Sequence, residues 1–368
     1  MSGDELPEEW RRGMGKHVGM TMTRAAGGVD GLGRGQKVLV LGAVFALMLV
    51  SWARPASAVS CLTQSSIAGP DRDLILAAAN PVGAAVATGS VDQLQGMLLP
   101  AASGDWDGIR AAAQADKPLF QGGALAWRTS YLLDATDLKA TGDTEFFCTN
   151  TDSSVTVTIN LRNLPPGRYA LLIGDYAGAA LAGQLGLLLG QDATQNNRWK
   201  LGGIFAREGA LGGHDGIWYW TRARDEARQK ESWSAFFSYE VARNLLLPMD
   251  FLSSPNLDKL NAEEQQLKSP VESLPLSVAG TGAFTGMAWK ITAARLDTSL
   301  HEADLAITYE GTGVADPVAA RQEAVGVMTG LLRSHPDLRE SFHGLWAYAM
   351  KDGKQTFAIE LAMKDIPQ

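Results

Sequence analysis

The sequence predicts an α+β fold made of helices plus an antiparallel sheet, a helical hairpin and a small C-terminal α+β module. Residues 71–116 carry helix-capping signals, and residues 155–161 alternate apolar and polar side chains, which indicates a strand with one solvent-facing side. Near the C-terminus, residues 351–354 read Lys-Asp-Gly-Lys between two apolar-rich segments, and Asp-Gly is a strong hairpin-turn signal. Helical and antiparallel patterns therefore occur in the same chain.

The first element is an apolar segment, residues 38–52, that follows a lysine and precedes Ala-Ser-Ala at 56–58. A charged n-region, an apolar h-region and a small-x-small site are typical of a secretory signal peptide. We therefore predict that residues 1–58 are a signal peptide cleaved between Ala58 and Val59. The mature chain is expected to be periplasmic or secreted.

Two other fates of this segment are open. Ala58-Val59-Ser60-Cys61 resembles a bacterial lipobox, and lipidation of Cys61 would make the protein a membrane-anchored lipoprotein. The other fate is an uncleaved anchor, although the fifteen apolar residues are fewer than the roughly 20 that span a bilayer. Contact with a membrane is expected only through one of these two routes.

Composition and charge restrict the classes of function. Hydrophobic residues make up 46% of the chain and charged residues 20%, as in an ordinary globular protein. The first 58 residues hold seven basic and five acidic side chains, so 25 basic and 35 acidic ones remain after cleavage, a net charge of −10. Because phosphate contacts need clustered Lys and Arg, we expect no nucleic-acid partner. The ten tryptophans indicate aromatic packing or a stacking surface.

The two cysteines, Cys61 and Cys148, allow two interpretations. In an oxidising compartment they could form one disulfide that holds the mature N-terminus on the sheet. Alternatively, Cys148 is a buried free thiol and Cys61 carries a lipid or nothing. Two cysteines do not by themselves make a metal site.

Residues 59–260 are predicted to form a sheet domain. Short helices are expected near 71–79, 81–88, 91–99 and 106–116, with Asn80-Pro81 capping the second of them. The strands, expected to form one antiparallel meander, lie near 126–133, 145–150, 155–161, 168–175, 180–190 and 199–207.

Helices followed by a long antiparallel sheet, over about 70–207, resemble the cone-shaped nuclear-transport-factor-type fold. The resemblance implies a small-molecule pocket between sheet and helices. Catalytic members use an Asp-His pair inside that cavity, and here no histidine occurs between residues 18 and 213.

A helical hairpin, residues 214–248, follows the sheet. Asp215 is expected to be the N-cap of the first helix, and the second helix runs from about 232 to 247. The hairpin resembles one tetratricopeptide repeat, in which small residues let two helices approach closely, through Ala223, Ala235, Tyr239, Ala242 and Pro248. Because one unit cannot bury its faces alone, we expect it to pack on the sheet domain. The alternative is that the groove of this hairpin binds a partner protein.

The polar, proline-containing residues 261–275 are predicted to be a linker. Residues 276–368 then form the α+β module, with a helix that begins at Asp316-Pro317. Its strands are expected at about 276–280, 287–296, 303–311, 345–350 and 355–363.

The whole chain is similar to exported proteins of unknown function from Gram-negative soil bacteria. The similarity rests on Trp-Lys-Leu-Gly-Gly-Ile-Phe at 199–205, on His-Asp-Gly at 214–216 and on the Trp-rich hairpin. It implies residence in the cell envelope and no particular chemistry.

Motifs for catalysis and metal binding are missing from the sequence. G-x-S-x-G, the phosphate-binding loop and H-E-x-x-H do not occur, so no catalytic residue is assigned. His335 and His343 are eight residues apart, which is no recognised ligand spacing, so neither a metal nor another cofactor is expected. Three acids are expected to be isolated and solvated: Glu263, Glu264 and Asp304.

Two classes of function are open. We favour a non-enzymatic protein that binds another envelope protein, as an interaction or scaffold module, through the hairpin or the C-terminal module. Trp and Tyr are frequent interface anchors, and the candidate binding residues are Trp199, His214, Trp218, Trp220, Trp233 and Tyr239. The alternative is a protein that binds or hydrolyses a small molecule in a cone-like pocket.

Overall fold

The computed structural model describes residues 59–150, 155–280 and 284–368. The predicted signal peptide, with Ala58 on the amino side of its cleavage site, lies outside the described residues. The fold class is confirmed, since helices combine with mainly antiparallel sheets. None of the described helices combines the length and the apolar character that crossing a membrane requires.

The first helical layer contains α1 (Gly69–Thr88), α2 (Trp106–Ala115) and the short α3 (Lys117–Phe120), with 3₁₀ turns at Val91–Met97 and Pro100–Asp105 between α1 and α2. The predicted helix boundary at Asn80-Pro81 is wrong, because α1 continues through Pro81. Ile75, Ala79 and Val82 form a buried stripe against the sheet. Packing of this stripe outweighs the cost of about 3 kcal/mol for an interior proline.

The strands of the first part of the chain are β1 (Ser60–Thr63), β2 (Ala124–Asp134), β3 (Gly142–Thr149), β4 (Thr156–Leu164), β5 (Arg168–Ala177), β6 (Gly183–Asp192), β7 (Arg198–Glu208), β8 (Ala210–Leu211) and β9 (His214–Asp215). They do not form the single predicted meander. One antiparallel sheet has the order β1-β2-β5-β6-β7, and β3 and β4 pair in a second sheet with β10 (Leu252–Ser253).

The separation into two sheets follows from the apolar run in β5. Ala170 and Leu172 belong to the core beneath the helices, whereas Leu171 and Ile173 belong to the core shared with β3 and β4. A strand that is apolar on both faces needs a covering layer on each side. The β3–β4 hairpin supplies the second layer.

A disulfide joins Cys61 in β1 to Cys148 in β3, with the Cα atoms 5.1 Å apart. It therefore links the two sheets near the start of the described chain. Of the two interpretations of the cysteines, the structure supports the disulfide. In this pairing neither sulfur is a free thiol.

The predicted hairpin consists of α4 (Gly216–Gln229) and α5 (Ser232–Leu246), followed by α6 (Pro255–Glu264). Asp215 is the N-cap, as expected, and its Oδ1 accepts a hydrogen bond from the Trp218 amide at 2.8 Å. Two faces of α5 are buried: Trp233 and Phe237 enter the C-terminal core, and Tyr239 packs with α4 and α6.

The C-terminal strands and helices are β11 (Leu276–Ala279), β12 (Ala288–Asp297), β13 (Asp304–Glu310), α7 (Pro317–Ser334), α8 (Leu338–Ser341), β14 (Gly344–Lys351) and β15 (Lys354–Ala362). The strands form one sheet in numerical order, with β13 and β14 parallel and the other pairs antiparallel. Asp316 caps α7, and Asp352 and Gly353 have φ angles of 51° and 75°, which confirms the Asp-Gly turn.

The division at 261–275 stays a prediction. Residues 261–264 continue α6, and a 3₁₀ turn spans Pro270–Ser273. Because Trp233 and Phe237 belong to the same core as the C-terminal strands, the hairpin and the module share a buried interface.

Candidate functional site

The aromatic candidates separate into buried and exposed residues. Trp199 is buried under the first helical layer, whereas Trp220 and Tyr239 are buried between α4, α5 and α6. Trp233 lies in the C-terminal core. The structure therefore brings together only His214 and Trp218 as an exposed aromatic pair. Trp218 is 36% exposed, and its ring stacks on His214 with 3.7 Å between the centroids.

Glu263 is not an isolated solvated acid, which corrects the expectation from the sequence. Its Oε2 accepts hydrogen bonds from Trp220 Nε1 at 2.7 Å, Arg224 Nε at 2.8 Å and Tyr239 Oη at 3.3 Å, and its Oε1 accepts one from Arg224 Nη2 at 2.9 Å. The hydrogen bonds from Arg224 lower the pKa of Glu263, and burial raises that of Tyr239 to about 12. Trp220 and Tyr239 therefore hold the helices together.

Glu264 and Asp304 are also paired and buried rather than solvated. Glu264 forms a salt bridge with Arg243, with 3.0 Å between Oε2 and Nη1. Asp304 is 1% exposed, and its Oδ1 lies 3.2 Å from His343 Nδ1. The sequence could not indicate these partners because they lie 21 and 39 residues away along the chain.

A stripe along α4 extends from the exposed aromatic pair. Trp218, Arg222 and Glu226 are four residues apart, so they lie on one face of the helix. The Arg222 guanidinium carbon lies 5.2 Å from the centre of the Trp218 ring, and its Nε donates to Glu226 Oε1 at 2.8 Å. Contacts therefore continue from His214 along α4 as far as Glu226.

At the far end of this stripe is a cavity of about 530 Å³ between α4, α5 and the α8 segment. It contains five carboxylates and one guanidinium. We call it the acidic cavity, and its lining residues are Arg222, Asp225, Glu226, Gln229, Glu231, Pro336, Asp337, Glu340 and Ser341. Its net charge favours a cationic ligand.

Three hydrogen bonds connect the walls of the acidic cavity, and in one of them Arg222 Nη2 donates to the Glu340 carbonyl oxygen at 2.5 Å. In the other two, Ser234 Oγ donates to Asp337 Oδ2 at 2.6 Å, and Ser341 Oγ donates to Glu226 Oε1 at 2.9 Å. All three join the hairpin to the segment around α8, more than 100 residues later in the chain. The shape of the cavity therefore depends on tertiary packing.

Glu226 carries the most informative atom of the site. Its Oε1 accepts from Arg222 and Ser341, but its Oε2 is buried and has no hydrogen-bond partner among the described residues. An unpartnered buried acceptor costs about 1–3 kcal/mol. Because Glu226 lines the acidic cavity, a cation bound there would place positive charge beside this carboxylate.

The carboxylates that line the acidic cavity repel one another, and the pKa of Glu231 reflects this repulsion. Its pKa is raised, first by burial and then by the negative charges of Asp337, Glu226 and Glu340, while Arg222 acts in the opposite direction. A bound cation would oppose this repulsion and favour the ionised form of Glu231.

A second polar crevice, of about 430 Å³, lies where α3, β7, α5 and the β12–β13 connection meet. His301 Nδ1 is 2.6 Å from Glu208 Oε1, and His301 has a φ of 59°. Burial raises the pKa of Glu208 and of Asp116. An imidazole oriented by a carboxylate is an arrangement suited to general base chemistry.

Between the first helical layer and the sheet, where the resemblance implied a pocket, the described residues form a hydrophobic core. Side chains from α1 and the following turns pack on the sheet, and among them Ile75, Val82, Leu94 and Phe120 are almost completely buried.

The chain matches no protein-family model, no curated protein and no solved structure.

Proposed function

We propose that this chain is an exported cell-envelope protein that binds another envelope protein without catalysing a reaction. In this proposal the acidic cavity receives a lysine or arginine side chain of the partner. Trp218, which stacks on the lining residue Arg222 from the next helical turn, and its exposed neighbour Ile217 provide apolar contact for the flanking partner residues. A role as an interaction or scaffold module agrees with the net charge of −10 that residues 59–368 carry after cleavage and with the absence of a catalytic motif in the sequence.

The observation that carries this proposal is Glu226 Oε2, a buried carboxylate oxygen without a donor among the described residues. It lies in a wall that also contains Asp225, Glu231, Asp337 and Glu340. A primary ammonium or a guanidinium offers several N–H donors and a positive charge, and the lining supplies these through one guanidinium, Arg222, against five carboxylates. A neutral or anionic group would leave the carboxylates uncompensated.

The proposed location is the periplasm or the extracellular space. The signal-like segment at 38–52 supports export, and the Cys61–Cys148 disulfide supports an oxidising compartment. A membrane-anchored form, through an uncleaved signal or a lipidated Cys61, is the alternative. In the lipidated form Cys61 could not pair with Cys148.

The proposal can be tested by calorimetry on purified, oxidised residues 59–368. The probe is a ten-residue peptide with two adjacent lysines and flanking leucines, in 0.15 M salt. We expect Glu226→Gln, Glu340→Gln and Trp218→Ala each to weaken binding by roughly 3–10-fold, or about 0.7–1.4 kcal/mol. Asp352→Asn removes one negative charge from the exposed Asp-Gly turn and is expected to bind as the wild type does.

A matched peptide with glutamates in place of the lysines is the ligand control. If both peptides bind equally, charge is not what the site recognises. If the three variants bind the lysine peptide as the wild type does, the acidic cavity is not the site.

The Glu208–His301 pair supports a second candidate function, a small-molecule hydrolase at the crevice. The 2.6 Å contact orients the imidazole as the base of such a reaction would require. Hydrolysis of neutral nitrophenyl esters by the wild type, with a loss of about 10²-fold or more in His301→Gln, would support this candidate. Equal rates for wild type and variant would exclude it.

A further inference from the structure

Three metal-ligating side chains meet at one end of the C-terminal sheet. Asp304 is the first residue of β13, His343 directly precedes β14, and Glu360 pairs with Trp346 of β14 from the antiparallel β15. Because β13 and β14 are parallel neighbours, both begin at this end, where β15 terminates. Sheet topology, rather than sequence spacing, therefore assembles the group.

The distances suit a common ion. His343 Nδ1 lies 3.2 Å from Asp304 Oδ1. The three residues each offer one ligand atom, and these atoms all lie within 4.8 Å of one another. Two donors that bind one ion at about 2.0–2.2 Å lie roughly 3.0–3.5 Å apart. The Asp304–His343 pair has this separation already.

Gly344 leaves space next to the two carboxylates. A Cβ atom at this position would lie 2.6 Å from Glu360 Oε1 and 3.0 Å from Asp304 Oδ1. Any other residue would therefore intrude on the point where the two carboxylate oxygens approach each other. The absence of a side chain at Gly344 keeps this point open.

The charges around Asp304 are also unbalanced. It is 1% exposed, and within the described part of the chain its salt-bridge partner is His343, with no lysine or arginine pairing with it or with Glu360. Asp304 is buried and Glu360 is partly exposed, and the negative charge of a buried carboxylate beside a second carboxylate is destabilised unless a cation compensates it. Trp346 Nε1 donates to Asp304 Oδ2 at 3.3 Å, which orients the carboxylate and leaves Oδ1 toward His343.

We propose that Asp304, His343 and Glu360 form a binding site for a divalent transition-metal ion, with Zn²⁺ as the representative. One imidazole nitrogen and two carboxylate oxygens are a zinc donor set, and the imidazole disfavours Mg²⁺ and Ca²⁺. Three protein ligands leave a position for water. The proposal is independent of the acidic cavity, whose lining contains none of these three residues.

The test is a titration of metal-free residues 59–368 with ZnCl₂ in competition with a chromophoric chelator. We expect one ion per chain with a micromolar or tighter Kd, and at least tenfold weaker binding in both His343→Ala and Glu360→Gln. Glu310→Gln, at the opposite end of β13, removes a carboxylate from the same strand and should bind as the wild type does. Co²⁺ should give a visible absorption band that both ligand variants lose.

Circular dichroism of each variant accompanies the titration. Glu360 is partly exposed, so Glu360→Gln decides the question if His343→Ala does not fold. Gly344→Ala should also weaken Zn²⁺ binding, because the new methyl group fills the space between the carboxylates. Fewer than about 0.2 ions per chain at saturation, or wild-type affinity in folded Glu360→Gln, would overturn the proposal.

Discussion

The disulfide between Cys61 and Cys148 yields a stability prediction whose size follows from the structure. The double variant Cys61→Ala/Cys148→Ala removes the link between β1 and β3 without leaving a free thiol. The two cysteines are 87 residues apart. In the chain-entropy model, a closed loop of this length contributes about 4–5 kcal/mol by restricting the unfolded chain.

This contribution is large beside a typical domain stability of about 5–15 kcal/mol. Loss of the link also affects β1, a four-residue edge strand whose one neighbouring strand among the described residues is β2. We therefore expect faster amide exchange at residues 60–63 in the double variant than in the wild type. The disulfide thus stabilises both the chain as a whole and its first strand.

The assay is urea unfolding of oxidised residues 59–368 and of the double variant, followed by tryptophan fluorescence. Wild-type protein reduced with dithiothreitol is the second reference, and it should unfold at the same urea concentration as the double variant. A difference in unfolding free energy below about 1 kcal/mol, with equal m-values, would refute the reasoning.

Three further changes give graded outcomes in the same unfolding assay. Glu263→Ala removes the acceptor shared by Arg224, Trp220 and Tyr239 at a partly exposed site, so we expect the free energy of unfolding to fall by about 2 kcal/mol. A change near zero would show that these hydrogen bonds do not stabilise the fold. Gly183→Ala places a Cβ 2.3 Å from the Leu119 carbonyl oxygen, so we expect the free energy of unfolding to fall by about 1–3 kcal/mol. The control is Gly96→Ala, whose Cβ meets no atom within 4 Å and should leave the stability unchanged. Burial and the neighbouring carboxylates raise the pKa of Glu231 in the folded chain, so the folded state binds its proton more tightly and loses stability as the pH rises above the unfolded pKa of about 4.3. Glu231→Gln should therefore flatten the decline in the free energy of unfolding above that pH, and an unchanged pH profile would contradict this.

The sequence predicted elements more reliably than their pairing. Local signals identified the Asp215 and Asp316 caps and the turn at Asp352-Gly353, because each depends on atoms within a few residues. The single meander and the break at Pro81 were wrong, because packing on both faces of β5 and along α1 decided those features. Strand pairing over long separations leaves no local signal.

The candidate sites followed the same pattern. The four-residue spacing of Trp218, Arg222 and Glu226 is visible in the sequence and could have identified one wall of the acidic cavity. The opposite wall, at 336–341, could not be assigned because tertiary packing brings it there from more than 100 residues away. The paired state of the partly exposed Glu263 was missed for a similar reason, since its Arg224 and Trp220 partners lie on another helix.

The most direct test of the proposed binding role locates the peptide on the protein. A lysine peptide carrying a photoreactive benzoylphenylalanine beside its lysines is irradiated with oxidised residues 59–368, and the cross-linked fragments are identified by mass spectrometry. If the peptide binds at the acidic cavity, cross-links are expected within 214–231 and 336–341, and excess unlabelled lysine peptide should suppress them. Cross-links concentrated near Asp116 and His301, or spread evenly along the chain, would contradict binding at the acidic cavity.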